Sequence, residues 1–233
     1  NIQSQKADGG AVYWVMAGDT GTLEVSDNIF ENNVAGSRGS AAYLESSGET
    51  DFVLRNNTVR NNTVPDYAGG LYLSTFGSIL VENSSFIGNV GQNDSSAVTA
   101  KIYPNVVATF RDNVFADNVG AGTGALYVIA PAGSDVILTN NTFSNNTAKY
   151  GGAVFFDGYP TTNINLTNNS FVDNTATTGG AVYLNLTSSQ YTASGNYYAN
   201  NNANTGGADF CMCRTATEYH ITNHTYLGNA AAG

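Results

Sequence analysis

Arg55, Glu82 and Arg111 are the residues whose types and spacing come closest to a catalytic group. They are separated by 27 and 29 residues, and Asp112 follows Arg111 directly. A carboxylate between two cations could act as an acid or base in cleaving acidic polysaccharides. Glycoside hydrolysis, however, needs two carboxyl groups about 5–9.5 Å apart, and no second acid joins Glu82 in phase on the adjacent repeats. We therefore interpret the three residues as a surface charge ladder, worth under about 1 kcal/mol per pair.

Two histidines and two cysteines are the other candidates for nucleophilic or metal-binding chemistry. His220 and His224 have no serine or cysteine in matching register, so we expect surface or corner roles for them. Cys211 and Cys213 lie two residues apart on one predicted strand face, at the limit of the Cα separation that a disulfide spans. They are either buried thiols or a strained local bridge. Because further ligands are missing, the sequence predicts no metal site and no cofactor.

Ten asparagines stand in Asn-x-Ser/Thr sequons, the acceptor motif of N-linked glycosylation. A sequence rich in asparagine and threonine also produces such triplets by accident. Five of them, however, share one phase of the chain that is predicted to face outward: Asn56, Asn83, Asn140, Asn168 and Asn223. We therefore predict that several sequons carry glycans in a secretory pathway. The ten are Asn56, Asn61, Asn83, Asn93, Asn140, Asn145, Asn165, Asn168, Asn185 and Asn223.

Asparagine is also the unusual residue of the composition, with 31 of 233 residues, beside 26 glycines and 4 prolines. Such a chain is too rich in asparagine and glycine for a helical protein. Its 11% aromatic content is too high for a disordered one. The net charge of −10 repels phosphate backbones, so nucleic acid is not an expected partner. No stretch reaches the ~20 apolar residues of a membrane span.

The elements that position these residues are repeats of about 28 residues. Each repeat carries a corner motif, F-x-x-N or a close variant, at intervals of 27–29 residues in a series that starts from Ile2. A glycine-led apolar run, such as Gly-Gly-Ala-Val, follows in fixed phase. Apolar residues alternate with period two and never with period 3.6, which predicts strands. The corner motifs begin at Phe30, Val59, Phe86, Phe115, Phe143, Phe171, Tyr198 and Tyr226.

Three short strands in each 28-residue coil predict an all-β fold, a parallel β-helix of about eight coils. Leucine-rich repeats have a similar period but need several leucines per repeat, whereas this chain has 12 in all. Propeller blades need ~40–50 residues. Since one coil cannot bury its apolar face alone, the coils must stack and share a core. The columns that contain Phe52, Leu54, Val182 and Leu184 are predicted to face inward, and Asp209 interrupts the column of Val182.

The corner asparagines are predicted to form two ladders. Coils stacked about 4.8 Å apart let a side-chain amide donate to the equivalent residue one coil on. The first ladder holds Asn33, Asn62, Asn89, Asn118, Asn146, Asn174, Asn201 and Asn229. The second holds Asn28, Asn57, Ser84, Asn113, Asn141, Asn169, Asn196 and His224.

An aromatic column alternates with the inward residues of the glycine-led strands and should therefore point outward. We expect its rings to stack on neighbouring coils. A sugar-binding face and a stripe covered by a partner or by glycans are alternatives. The tyrosines of this outward aromatic ladder are Tyr13, Tyr43, Tyr72, Tyr127 and Tyr183.

The recurrence of F-x-x-N together with Gly-Gly-Ala followed by Val, Ile or Leu resembles the chlamydial polymorphic membrane proteins and related β-helix repeat proteins. The resemblance covers essentially the whole chain. It implies a right-handed parallel β-helix on a cell surface, acting in adhesion or structural display. The carboxy-terminal membrane barrel of the autotransporter members is not found in this sequence, and the density of sequons differs from the chlamydial pattern.

These features predict a single β-helix domain over residues 1–233 with uncapped ends. The chain would be an excerpt of a longer solenoid or a protomer that stacks head to tail with itself. We expect a non-enzymatic, extracellular structural protein, a glycan-coated building block of a surface filament or stalk. One alternative is a surface adhesin that binds host or matrix ligands through its tyrosine face. Another is a pectin-lyase-like polysaccharide lyase or hydrolase centred on Glu82, Arg111 and Asp112.

Overall fold

A computed structural model describes residues 8–18, 20–214 and 217–232, with the segment 210–214 described by its backbone only. Strands and turns account for the secondary structure of these residues, without a helix. All strand pairings between neighbouring coils are parallel, so the chain winds as a β-helix of about eight coils. This confirms the predicted fold class.

Each complete coil contributes to four parallel sheets rather than the three that we predicted. The additional strand follows the F-x-x-N corner and is two to four residues long. It is hard to recognise in the sequence because so short a strand contains at most two cycles of alternation. In the first coil, Val34 only forms a single bridge to Thr63 at this place.

The four sheets are numbered in the order in which the chain visits them. Sheet 1 contains the glycine-led strands: Val12–Met16, Ala42–Ser46, Leu71–Thr75, Val98–Ile102, Leu126–Ala130, Val154–Gly158, Val182–Thr187 and Asp209–Arg214. Sheet 2 contains Gly21–Ser26, Thr50–Arg55, Ile79–Glu82, Val107–Arg111, Asp135–Thr139, Asn163–Thr167, Gln190–Ser194 and Glu218–Thr222. Sheet 3 contains Ile29–Glu31, Thr58–Arg60, Ser85–Ile87, Val114–Ala116, Thr142–Ser144, Ser170–Val172, Tyr197–Ala199 and Thr225–Leu227. Sheet 4 contains Thr63–Val64, Val90–Gly91, Val119–Gly120, Thr147–Tyr150, Thr175–Thr178, Asn202–Thr205 and Ala230–Ala231.

One continuous apolar core runs through the coils and is lined by sheets 1, 2 and 3. Phe52 and Leu54 of sheet 2 and Val182 and Leu184 of sheet 1 are buried, as the alternation predicted. The phenylalanines of the corner motif stack on one another, with ring centroids 4.7 Å apart for Phe86 and Phe115. Burial of a side chain of this size stabilises the fold by about 1.5–3 kcal/mol before its conformational entropy is subtracted.

The core is open at both ends of the described coils. Ile221 and Tyr226 belong to inward columns, yet they are 50% and 52% exposed because no further coil covers them. Leu23 and Val25 of the first coil are only partly buried. No described helix is long and apolar enough to cross a membrane.

Candidate functional site

The first asparagine ladder joins all eight coils through a repeated set of hydrogen bonds. The Oδ1 atom of Asn146 accepts the Asn118 backbone N–H at 3.1 Å and the Asn118 side-chain amide at 2.9 Å. The Nδ2 atom of Asn146 donates to Oδ1 of Asn174 at 3.0 Å and to the carbonyl oxygen of Phe115 at 2.9 Å. Each interior side chain thus accepts two hydrogen bonds and donates two, so a fully buried amide is satisfied.

The second ladder follows the same rule at the preceding corner, where sheet 2 turns into sheet 3. Asn113 donates from its backbone nitrogen and from Nδ2 to Oδ1 of Asn141, both at 3.0 Å. Ser84 interrupts the series but still accepts the backbone N–H of Asn57 at 3.1 Å. His224 takes the last place and accepts the Asn196 N–H on Nδ1 at 3.1 Å. Both ladders therefore hold the coils in register from inside the corners.

The residue before each ladder position has a left-handed backbone. Its φ is 56° at Asn140 and 54° at Asn145. Asn and Asp tolerate this conformation, and glycine adopts it without steric cost. The conformation thus falls one residue before the ladder asparagines themselves. Sixteen residues share it: Asp27, Asn56, Asn83, Asp112, Asn140, Asn168, Gly195 and Asn223 at the first corner, and Asn32, Asn61, Gly88, Asp117, Asn145, Asp173, Asn200 and Gly228 at the second.

This backbone requirement explains the phase of most sequons. In the triplet Asn140-Asn141-Thr142, the first residue turns the chain, the second joins the ladder and the third starts a strand of sheet 3. Aspartate and glycine occupy the first position on other coils, where no sequon forms. The shared phase therefore follows from the corner geometry and does not by itself indicate glycosylation.

All ten sequon asparagines lie where a glycan has access to solvent. Asn165 and Asn185 are half-buried on strands, and the other eight are exposed. In five of them Nδ2 donates to an aspartate of the preceding coil, as from Asn145 to Asp117 at 2.6 Å. The five donors are Asn56, Asn93, Asn140, Asn145 and Asn185. A glycosylated amide retains one N–H, so this pairing is compatible with an attached glycan.

Glu82 lies between two arginines on the outer face of sheet 2. Its Oε1 accepts Arg55 Nε at 2.6 Å, and its Oε2 accepts Arg111 Nε at 2.6 Å. The hydrogen bond from Arg111 lowers the pKa of Glu82, and that from Arg55 adds to it, against the opposing effect of burial. The carboxyl group is thus held ionised with both oxygens occupied, so it cannot serve as a general acid. Asp112 has a separate role, since its Oδ1 accepts Asn140 Nδ2 at 3.2 Å.

The predicted aromatic ladder forms one column in sheet 1, outside the main core. Tyr43 and Tyr72 stack with centroids 4.9 Å apart and planes 2° apart, and Ala68 packs with them in a separate cluster. Tyr13 is 61% exposed, but Tyr43, Tyr72 and Tyr183 are buried. Tyr43 and Tyr72 stack as we expected, whereas the alternative of an open sugar-binding face does not fit the burial of these three rings.

The physical reason for the burial of Tyr43 is that its ring stacks between those of Tyr13 and Tyr72, with centroids 5.3 and 4.9 Å apart. The guanidinium of Arg38 lies over the Tyr43 and Tyr72 rings, 5.4 and 5.3 Å from their centroids. Such cation–π contacts shield the rings from water.

Residues 5–126, more than half of the chain, match the protein family described as right handed beta helix region. The chain belongs to this family. Comparisons with curated proteins and with solved structures gave no match. The family establishes a right-handed β-helix, whereas the likeness to the polymorphic membrane proteins rests on the two sequence motifs.

The last coils of the β-helix contain an unexpected polar cluster inside the core. By register, Asp209 takes the place of Val182 and Val154 in an apolar column of sheet 1. Burial raises the pKa of Asp209 to about 7, while the nearby hydroxyls of Tyr198 and Tyr226 oppose this shift. Tyr226 donates to its Oδ2 at 3.3 Å. The Tyr191 and Tyr198 hydroxyls are buried beside it without a hydrogen-bond partner among the described atoms.

The remaining candidates do not assemble into a site. His220 is exposed on sheet 2, and His224 is absorbed into the second ladder. The side chains of Cys211 and Cys213 lie outside the described residues, so whether they are bridged stays a prediction. Within the described part of the chain, no group of three or more His, Cys, Asp or Glu residues could hold a metal ion.

Proposed function

We propose that the chain is a non-enzymatic structural protein, an extracellular β-helix that builds a surface filament or stalk. The observation that carries this proposal is the direction of the ladders. The ladder asparagines from Asn33 to Asn201 donate toward the next coil, so on the last described coil the backbone N–H of Asn229 has no partner among the described residues. A further coil, from the same chain or from a second copy, would accept it.

The open core ends support the same proposal. Ile221 is half-exposed in a column that is buried on the interior coils, so a stacked coil would remove apolar surface from water at about 25 cal/mol per Å². A head-to-tail contact of this kind does not close on itself, so it yields a filament. The polymorphic membrane protein motifs support cell-surface display.

The self-association is tested by sedimentation velocity of the chain at increasing concentration. We expect large, concentration-dependent species for the wild type and their loss in Ile221→Lys, which places a charge on the open end. Ile87→Lys is the matched control, because Ile87 is 36% exposed on the side of an interior coil. Monomers at all concentrations, or equal effects of the two variants, would contradict head-to-tail stacking.

Glycosylation is a separate element of the proposal. Its support is the exposure of the sequons and their number, and it rests on the extracellular location proposed above. Intact mass of the secreted chain, measured before and after glycosidase treatment, should fall by several glycans. A mass equal to that of the bare 24.4 kDa chain would overturn this part and leave the filament untouched.

A further inference from the structure

Thr99 interrupts the aromatic column of sheet 1. The register aligns it with Tyr72 on one side and Tyr127 on the other. On five other coils a glycine precedes the aromatic residue by four positions, as Gly39 precedes Tyr43, whereas Ala68 precedes Tyr72 and Thr123 precedes Tyr127. Here Ser95 stands in that place, and its hydroxyl hydrogen-bonds to the Thr99 hydroxyl. A serine–threonine pair thus occupies the two positions on this coil, and one ring of the ladder is missing.

The missing ring leaves a groove of about 490 Å³ on the side of the β-helix. By register Tyr72 and Tyr127 lie at its two ends, the buried Thr99 and Asp94 form its floor, and Arg38 and Lys101 also line it. Because the two tyrosines are two coils apart, they are separated by about 9.6 Å, twice the spacing of neighbouring strands. One six-membered ring fits between them, and the volume falls within the range of small-ligand sites.

The groove is lined by two cations, although the chain as a whole is strongly negative. The chain has a net charge of −10 and only 8 Lys and Arg residues, yet two of these cations line this groove. Arg38 pairs with Asp8 at 3.4 Å. Lys101 forms no ion pair with any described carboxylate; its Nζ lies 5.4 Å from the Tyr103 ring centroid. It is therefore available to an anionic ligand.

Asp94 and Thr99 add polar groups at the floor. Asp94 is 9% exposed, and its Oδ1 accepts the Thr123 hydroxyl at 2.6 Å. Burial raises the pKa of Asp94, an effect that Thr123 partly offsets. Its carboxyl group can accept from a ligand hydroxyl, and when protonated it can also donate. An aromatic wall, a free cation and a hydroxyl-binding floor together define the chemistry of a ligand.

We propose that this groove binds an acidic sugar unit, a pyranose ring that carries a carboxylate. The ring would lie between Tyr72 and Tyr127, its carboxylate would pair with Lys101, and its hydroxyls would meet Asp94 and Thr99. This site goes beyond the structural function proposed above, since a filament of stacked coils would present it once per chain on its side.

The probe is a hyaluronan hexasaccharide, which alternates glucuronate with N-acetylglucosamine, titrated into the full chain by calorimetry. Neutral chitohexaose is the control ligand. We expect hyaluronan to bind with a Kd below about 1 mM and chitohexaose to bind at least tenfold more weakly, because a charge-assisted hydrogen bond is lost. The affinity for hyaluronan should fall with added salt.

Three variants locate the binding. Lys101→Gln should weaken it about tenfold or more. Lys149→Gln is the matched control, since this lysine also lies over a tyrosine, 5.1 Å from the Tyr150 ring, but outside the groove. Ser95→Gly combined with Thr99→Tyr reproduces the Gly39/Tyr43 pair of another coil, so it should fold, fill the groove and abolish binding.

Absence of hyaluronan binding at about 10 mM, ten times that Kd, would overturn the proposal. So would equal affinity for chitohexaose, equal effects of the two lysine variants, or full binding by the filled-groove variant. None of these results bears on self-association, which sedimentation measures separately.

Discussion

The side-chain amide of Asn118 donates to Oδ1 of Asn146 at 2.9 Å, and the Asn118 backbone N–H donates to the same oxygen at 3.1 Å. One oxygen atom thus fixes both the side chain and the main chain of the preceding coil. Because all four hydrogen-bonding positions of each interior amide are used, the ladder contributes to register as well as to stability. A β-helix with short strands depends on such corners, since each strand forms few backbone hydrogen bonds with the neighbouring strands.

Replacing a ladder asparagine should destabilise the fold strongly. Asn118→Leu keeps the branched shape of the side chain but leaves the amide and N–H of Asn89 and the carbonyl of Phe86 without their partner. Each buried unsatisfied group costs about 1–3 kcal/mol, so we expect a loss of about 3–5 kcal/mol in the free energy of unfolding. Urea denaturation measures this.

Asn204→Leu is the matched control for that experiment, since Asn204 is exposed on sheet 4. It should change the free energy of unfolding by less than about 0.5 kcal/mol. Similar losses in the two variants would show that the ladder hydrogen bonds do not support the fold.

The left-handed corner residues should tolerate glycine better than alanine. Asn168 has a φ of 54°, so Asn168→Ala should lower the free energy of unfolding by about 1–2 kcal/mol, because Cβ crowds the following carbonyl. Asn168→Gly should be nearly neutral. Both variants remove one sequon, so an equal fall in stability would mean that loss of a glycan, and not backbone conformation, sets the effect.

Asp209 should make the stability of the last coils depend on pH. Its pKa is raised to about 7 in the folded chain, against about 3.9 in an unfolded one. The folded form therefore binds the proton more tightly, and this contribution is fully present below pH ~4 and lost as the pH rises through about 7. A shift of about 3 units corresponds to about 4 kcal/mol at most.

The measurement is the difference in unfolding free energy between wild type and Asp209→Asn across that pH range. Tyr191, Tyr198 and Tyr226 face this carboxyl group, and none of them titrates below pH 7. The wild type should lose stability relative to the variant between pH ~4 and ~7. A pH-independent difference would mean that Asp209 is solvated and unshifted.

Much of the architecture could be predicted from the sequence because the same pattern of residues recurs in every coil. The corner phenylalanines, the inward columns and both ladders repeat at fixed spacing. A residue that is ambiguous on one coil can therefore be assigned from its equivalents on the other coils. The fourth sheet escaped prediction because strands such as Val90–Gly91 are too short to show alternation.

The departures from the repeat were harder to interpret. The sequence aligns Asp209 with apolar residues, but only the packing shows that Tyr191 and Tyr198 bring hydroxyls to it. The burial of Tyr43 depends on the rings of Tyr13 and Tyr72 and on the guanidinium of Arg38, which strand alternation does not encode. In the sequence Thr99 is only a non-aromatic residue in an aromatic column, and the structure is needed to place Lys101 and Asp94 beside it.

The most direct test of the central claim, that stacked coils continue from one chain into the next, is electron microscopy of the purified protein at high concentration. Eight coils at about 4.8 Å predict filaments with an axial repeat of about 38 Å per chain. Isolated particles of one chain each, without filaments at any concentration, would contradict it.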